Sequence, residues 1–432
     1  MTKIRTGLAA GGTVLALAVG VTVAGAVTGP PRGNQDPVTT RGPDQDPLLR
    51  GIAIAQESLR KNPANYKLWA ELALGYVRQA TSTNDPSFYA KAEGAAQRSL
   101  ELDTKNNFLG YAALAAVRNG RHDFRGALRA ADSGLKIASF NATLYGARGD
   151  ALTQLGRYAE ATAAIERMNQ LQPGLPAFTR ASYVLELRGD VAGARAALER
   201  SLELAASPAD KAFVQQFLGE LAIRYGGGAQ KALEHYDAGL KAQPGYPPLL
   251  AARGKANAAL GRIEAAKADY TRAGAALPTP GLVLEYANFL ESLRDPAAAA
   301  QYELFGVQAK LYEAAGVALE VEGTLFEAER GDPKKALELA AEGWRIRPFV
   351  EMADAYAWAF YANRRYAEAL VWSKRAFVSG WRPALALYHR GMIQNALGDK
   401  RAARADLSAA LKQDPMFDAL GAQRAAQVLQ TL

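Results

Sequence analysis

The chain has 432 residues, 49% of them hydrophobic and 9% aromatic, with a net charge of +8 and no cysteine. The apolar content suffices for a sizeable core, and the missing cysteine excludes a disulfide framework, a thiolate metal site, a thiol nucleophile and a lipid-modified N-terminal Cys. The positive balance suits acidic partners, but bases alternate with acids, as in Glu199-Arg200 and Asp399-Lys400-Arg401, without a dense basic block. That alternation describes a solvated surface, and no nucleic acid is expected.

Lys3 and Arg5 precede an apolar stretch from Gly7 to about Val27. About 20 such residues span a bilayer core, and the positive flank would stay on the cytoplasmic side. Ala24-Gly25-Ala26 also fits a small-x-small cleavage site. Residues 1–28 are therefore either a signal peptide cut near Ala26 or a single-pass anchor, and both place the remainder outside the cytoplasm. Membrane contact is expected through this segment if it is retained. Residues 29–47 are rich in Pro, Gly and Asp without apolar periodicity, which predicts a disordered linker.

From residue 48 onward strand-like alternation is nearly absent and alanine, the best helix former, is abundant, so the fold class is all-α. Leu48 to Asn62 reads as a lone helix stopped by Pro63. Segments 144–173, 249–278 and 387–415 then repeat one plan: a helix, a turn at Gly156, Gly261 or Gly398, a second helix, and a closing Pro173, Pro278 or Pro415. A left-handed C-cap favours Gly, and Pro cannot continue a helix. An alanine opens each second helix at Ala92, Ala127, Ala161, Ala194, Ala232, Ala266, Ala300, Ala336, Ala369 and Ala403, spaced about 34 residues apart, a period of paired helices. Small residues recur in the first helices at Gly149, Gly219, Gly254 and Gly391. After Ala300 the spacing lengthens and the closing Pro is missing, so the second helix is expected to run towards Ala315, with a possible hinge near 305–320. Phe417 to Leu432 reads as a last amphipathic helix.

This pattern resembles the tetratricopeptide repeat (TPR) family over residues 48–432. The resemblance implies an α-solenoid of about ten helix-turn-helix repeats in a right-handed superhelix, with N- and C-terminal capping helices. It also implies that first helices line a concave face on which a peptide or protein partner binds.

No catalytic pattern is found. His122, His235 and His389 fall in different repeats with no metal-ligand spacing, and there is neither a phosphate loop nor a nucleophile elbow. We therefore expect no enzyme activity, no metal and no cofactor. The inward positions of the later first helices are bulky and acidic. Glu285, Phe289, Asp354, Trp358, Tyr361, Tyr388 and Met392 are the candidate groove, because aromatic anchors beside charges make interface hot spots. Packing between repeats is the competing reading of these rings. The expected function is an extracytoplasmic protein-interaction scaffold that takes an apolar segment carrying basic groups. The alternative is a binder of anionic envelope polymer or lipid headgroups, whose binding would weaken steeply with salt.

Overall fold

A computed structural model describes residues 47–432. The expected signal peptide or anchor and all of the linker but Pro47 lie outside the described residues. Within them no helix is long and apolar enough to cross a membrane.

The described chain is helical throughout. A lone helix α1 (Pro47–Lys61) precedes ten pairs: α2 (Tyr66–Thr83) with α3 (Ser87–Leu102), α4 (Phe108–Gly120) with α5 (Phe124–Ile137), and α6 (Ala142–Gln154) with α7 (Tyr158–Leu171). Then come α8 (Leu175–Leu187) with α9 (Val191–Glu203), α10 (Pro208–Arg224) with α11 (Gly228–Ala242), and α12 (Pro247–Ala259) with α13 (Ile263–Ala276). The last four are α14 (Pro280–Ser292) with α15 (Ala298–Ala314), α16 (Glu320–Glu329) with α17 (Pro333–Ile346), α18 (Val350–Ala362) with α19 (Tyr366–Ala376), and α20 (Ala384–Ala396) with α21 (Lys400–Gln413). Helix α22 (Ala419–Leu429) closes the chain.

Local chemistry sets these boundaries. Asn65, Asn107, Asp123, Asn141, Asp190 and Asp399 cap helices by accepting a backbone N–H from the first turn, which satisfies a donor the helix cannot. Helix α10 opens on a reciprocal box, where Ser207 and Asp210 bond each other's backbone N–H. In the turn between paired helices the backbone goes left-handed, at Gly156 (φ 69°), Gly261 (φ 72°) and Gly398 (φ 84°) as expected. His122 (φ 61°), Arg294 (φ 57°) and Arg364 (φ 57°) hold the same conformation in other repeats, despite the Cβ penalty.

Each pair closes on its small residues. Nine of the ten register alanines are completely buried. A Cβ placed at Gly391 would lie 2.8 Å from Leu407, and one at Gly149 2.7 Å from Ile165; the glycines are what let the helices cross so closely. Ala300 is the exception, because it is exposed and Ala298 takes the buried place. The expected register is therefore wrong in this one repeat, where α15 runs on to Ala314.

The array also closes on itself. Turns between paired helices in the N-terminal repeats dock on the segments that lead into first helices of the C-terminal ones. Tyr312 Oη donates to Asn84 Oδ1 (2.5 Å), His122 Nδ1 lies 3.0 Å from both carboxylate oxygens of Glu320, and Val350 N donates to Tyr158 Oη (2.9 Å). Gly156 abuts the Pro348 carbonyl, and Gly189 abuts that of Gly380, where an added Cβ would come within 2.7 Å. Arg347, fully buried, donates to Gln154 Oε1 (2.8 Å) and Glu320 Oε2 (3.3 Å), and its guanidinium lies over the Phe349 ring.

Candidate functional site

Successive first helices pack on one another along most of the array, and the sequence placed the groove on those of the C-terminal half. The structure brings most of the expected residues together. Trp358 stacks on Tyr361 (centroids 4.4 Å apart) and on His389 (4.2 Å), and Tyr388 lies 5.5 Å from Trp358. Met392 belongs to the same apolar cluster. Asp354 Oδ2 lies 2.8 Å from His389 Nδ1 and so holds the imidazole flat against the indole. Phe289 and Glu285 lie farther along, on α14. Phe289 packs against Tyr270 of α13, whose hydroxyl donates to Glu285 Oε1 (2.8 Å).

Exposure separates these seven residues. Glu285 is exposed and Tyr361 half-buried, whereas Trp358 is 3% exposed and Phe289, Asp354, Tyr388 and Met392 are also buried. What covers much of this surface is the chain's own C-terminus. Helix α22 packs on α20 and α21, as a terminal cap does, and it also crosses to α14. Ala425, Val428 and Leu429 join the apolar cluster of Trp358, Tyr361, Tyr388 and Met392, and the Phe417 ring lies 5.2 Å from Tyr388.

Polar hooks fix the helix in place. Asn288 Nδ2 donates to Asp418 Oδ2 (2.8 Å), while Asp418 caps α22 through its other oxygen. Gln423 Nε2 donates to the Ser292 carbonyl (3.1 Å), and Lys255 Nζ lies 3.6 Å from Asp414. Arg424 pairs with Glu329, and the second oxygen of that carboxylate accepts from Trp358 Nε1 (2.7 Å). Glu329 thus connects the aromatic floor to the basic residue above it. Sequence reasoning missed it because α16 is short and lies beyond the repeat whose register slipped. Asn288, on α14, hooks α22 through Asp418.

A second concavity lies along the self-closing seam. It is a cleft of about 290 Å³ whose lining includes Arg121, His122, Arg125, Glu320 and Arg345. Arg121 and Arg345 are paired with Glu93 and Glu342, so the cleft does not concentrate unopposed charge. Burial would raise the Glu320 carboxyl, but His122 and Arg347 outweigh it and pull the group down to about 2. Glu351, near Arg347 and Arg224, goes the other way: burial raises its carboxyl to about 8 against the pull of both arginines. Ion pairing accounts for the Glu320 shift and burial for that of Glu351, and no group of carboxylates or histidines able to hold a metal ion occurs among the described residues.

Comparison with known proteins agrees with the repeat. The family model described as Tetratricopeptide repeat matches residues 142–174 and 384–415, which are α6–α7 and α20–α21. No curated protein matches the chain. Among solved structures, a tetratricopeptide repeat protein from Parabacteroides merdae is 18% identical, with 59% of this chain and 97% of that one covered and a TM-score of 0.36. YrrB, described as a TPR protein with an unusual peptide-binding site, is 20% identical over 46% of this chain and 98% of its own, with a TM-score of 0.31. Human IFIT1, solved as a dimer with m7Gppp-AAAA, is 13% identical, with 76% of each chain covered and a TM-score of 0.46.

Proposed function

We propose that this chain, a tandem array of tetratricopeptide repeats, is an extracytoplasmic scaffold whose inner C-terminal surface takes an apolar helical segment carrying basic groups. Arrays of this kind serve protein–protein interaction, and the finer reading rests on one observation. That surface already holds such a segment in α22, with Ala425, Val428 and Leu429 on the aromatic floor and Arg424 on Glu329.

The pairing is physically coherent. Aromatic rings bury large area at little conformational cost, while a half-buried carboxylate selects a basic side chain over a neutral one. A partner helix would compete with α22 for the same floor. Because α22 is covalently tethered, its effective concentration is on the order of millimolar, so a competitor needs additional contacts on the flanking repeats. Residues 1–28 would place this surface outside the cytoplasm.

The test compares full-length chains in pull-downs from envelope extract at low and high salt. Arg424→Glu loosens α22 and should raise the yield of one discrete protein that survives high salt. Glu329→Lys should abolish its capture, with circular dichroism confirming an unchanged fold. If all three chains retain only salt-labile polymer, the anionic-polymer alternative replaces this proposal. If Glu329→Lys captures the same protein as wild type, the groove is not the site.

A further inference from the structure

In the first, second and third repeats, as in most of the array, the second helix lies flat against the first helix of the next repeat. Helix α15 does not. It meets α16 through the rings of Tyr302 and Phe305, which bear on Phe326 with the Phe305–Phe326 centroids 4.7 Å apart, and the two backbones do not come together as the others do.

Its outer face carries an apolar stripe. Leu304, Val307 and Leu311 are 36%, 51% and 37% exposed, and Ala300 and Ala314 extend the row in both directions. The spacing alternates four and three residues, which is the seam of a two-stranded coiled coil. A surface-facing stretch of an ordinary soluble helix would be polar there.

We infer that this stripe is the contact face for a second copy of the chain, docked with α15 antiparallel to α15 across a two-fold axis. The charges flanking the stripe select this occupant. Glu303 and Lys310 edge it on one side, both exposed, and neither has an ion-pair partner among the described residues. They are two helical turns apart, too far to reach each other on one helix. Antiparallel pairing about a dyad between Leu304 and Val307 puts Leu304 of each copy on Val307 of the other. The same operation places Glu303 of each opposite Lys310 of the other, so both pairs form at once. A parallel arrangement would set Glu303 against Gln308 and Lys310 against Ala315, leaving both charges unpaired. Isologous contacts of this kind close on themselves and leave no edge to propagate. A contact limited to one helix buries less than the roughly 800 Å² per partner of a standard interface, and the dimer is reversible.

The chain contains no cysteine, which makes a direct test available. The full chain in detergent, carrying Leu304→Cys and Val307→Cys, is treated with a mild oxidant and run without reductant beside a control carrying Lys231→Cys and Glu234→Cys on the exposed face of α11. A disulfide-linked dimer from the first and not the second is expected. Adding Glu303→Lys to the first should lower its yield about tenfold by setting lysine against lysine, and adding Lys310→Glu as well should restore it. Equal yields from both cysteine pairs would overturn the proposal. So would a yield that does not respond to Glu303→Lys, or one that the double charge exchange fails to restore. All these residues are exposed, so circular dichroism and melting should match wild type throughout.

Discussion

Two parts of the molecule show opposite answers to one problem. Along the seam, the turns of early repeats and the connections of late ones are fitted backbone to backbone, with Gly189 facing Gly380 and Arg347 buried between Gln154 and Glu320. At α15 the same repeat leaves a flank uncovered, with Leu304, Val307 and Leu311 towards solvent. An internal repeat offers apolar surface on two sides and must have both covered. Neighbouring repeats and the opposite end of the array cover the seam, whereas α15 is left to a partner outside the chain. Over-determined positions in this fold are thus structural, and under-determined ones are where recognition can be placed.

The largest expected effect comes from breaking the seam. Arg347→Ala should cost about 3–5 kcal/mol, because it strips a buried carboxylate of its partner; a shifted denaturation midpoint measures it. Overpacking sharpens the contrast. Ala403→Leu, at a fully buried register position, should destabilise by about 1–3 kcal/mol, whereas Ala300→Leu should leave the melting temperature unchanged, since its side chain faces solvent.

The next effect depends on pH. Glu351 ionises near 8 in the folded chain against 4.5 ordinarily, so the folded state binds more protons in between and stability falls as pH rises through that window. Glu351→Gln should remove this slope and gain about 2 kcal/mol at pH 9, less than the full shift implies because water reaches part of the side chain. Glu320, held near 2, has the opposite sign. It adds stability above its ordinary value of 4.5 and loses it as pH falls towards 2, which should appear as acid sensitivity absent from Glu320→Gln. The smallest effect is Gly306→Ala, which should stabilise by about 0.5–1 kcal/mol, since a Cβ there meets nothing within 4 Å; a thermal melt of the monomer measures it.

Much of this architecture could be read from the sequence, because repetition amplifies weak local signals. One glycine or alanine says little, but Gly149, Gly219, Gly254 and Gly391 at equivalent positions define a helix crossing, and nine register alanines came out buried. The reading failed where repetition failed. With no closing Pro after Ala300, nothing in the local pattern distinguished Ala298 from Ala300 as the buried residue. The aromatic cluster of Trp358, Tyr361, Tyr388 and Met392 was legible as a cluster. That its cover is α22 was not, because Asn288–Asp418 and Arg424–Glu329 join residues 130 and 95 positions apart. Periodicity cannot register contacts at such separations. The seam was invisible for the same reason, with His122 and Glu320 separated by 198 positions.

That seam has a consequence for how the chain comes apart. A linear array held only by nearest neighbours can fray from either end, one unit at a time, and begin refolding anywhere. Here residues nearly two hundred positions apart must find each other before the structure is complete, which raises the contact order and slows the last step of folding. Once formed, the same contacts tie the loss of an early repeat to the loss of a late one, so unfolding approaches all-or-none behaviour across a length at which solenoids usually lose it. Pulled from its ends, such a chain would resist up to a single rupture and then yield, as a latched ring does and a spring does not.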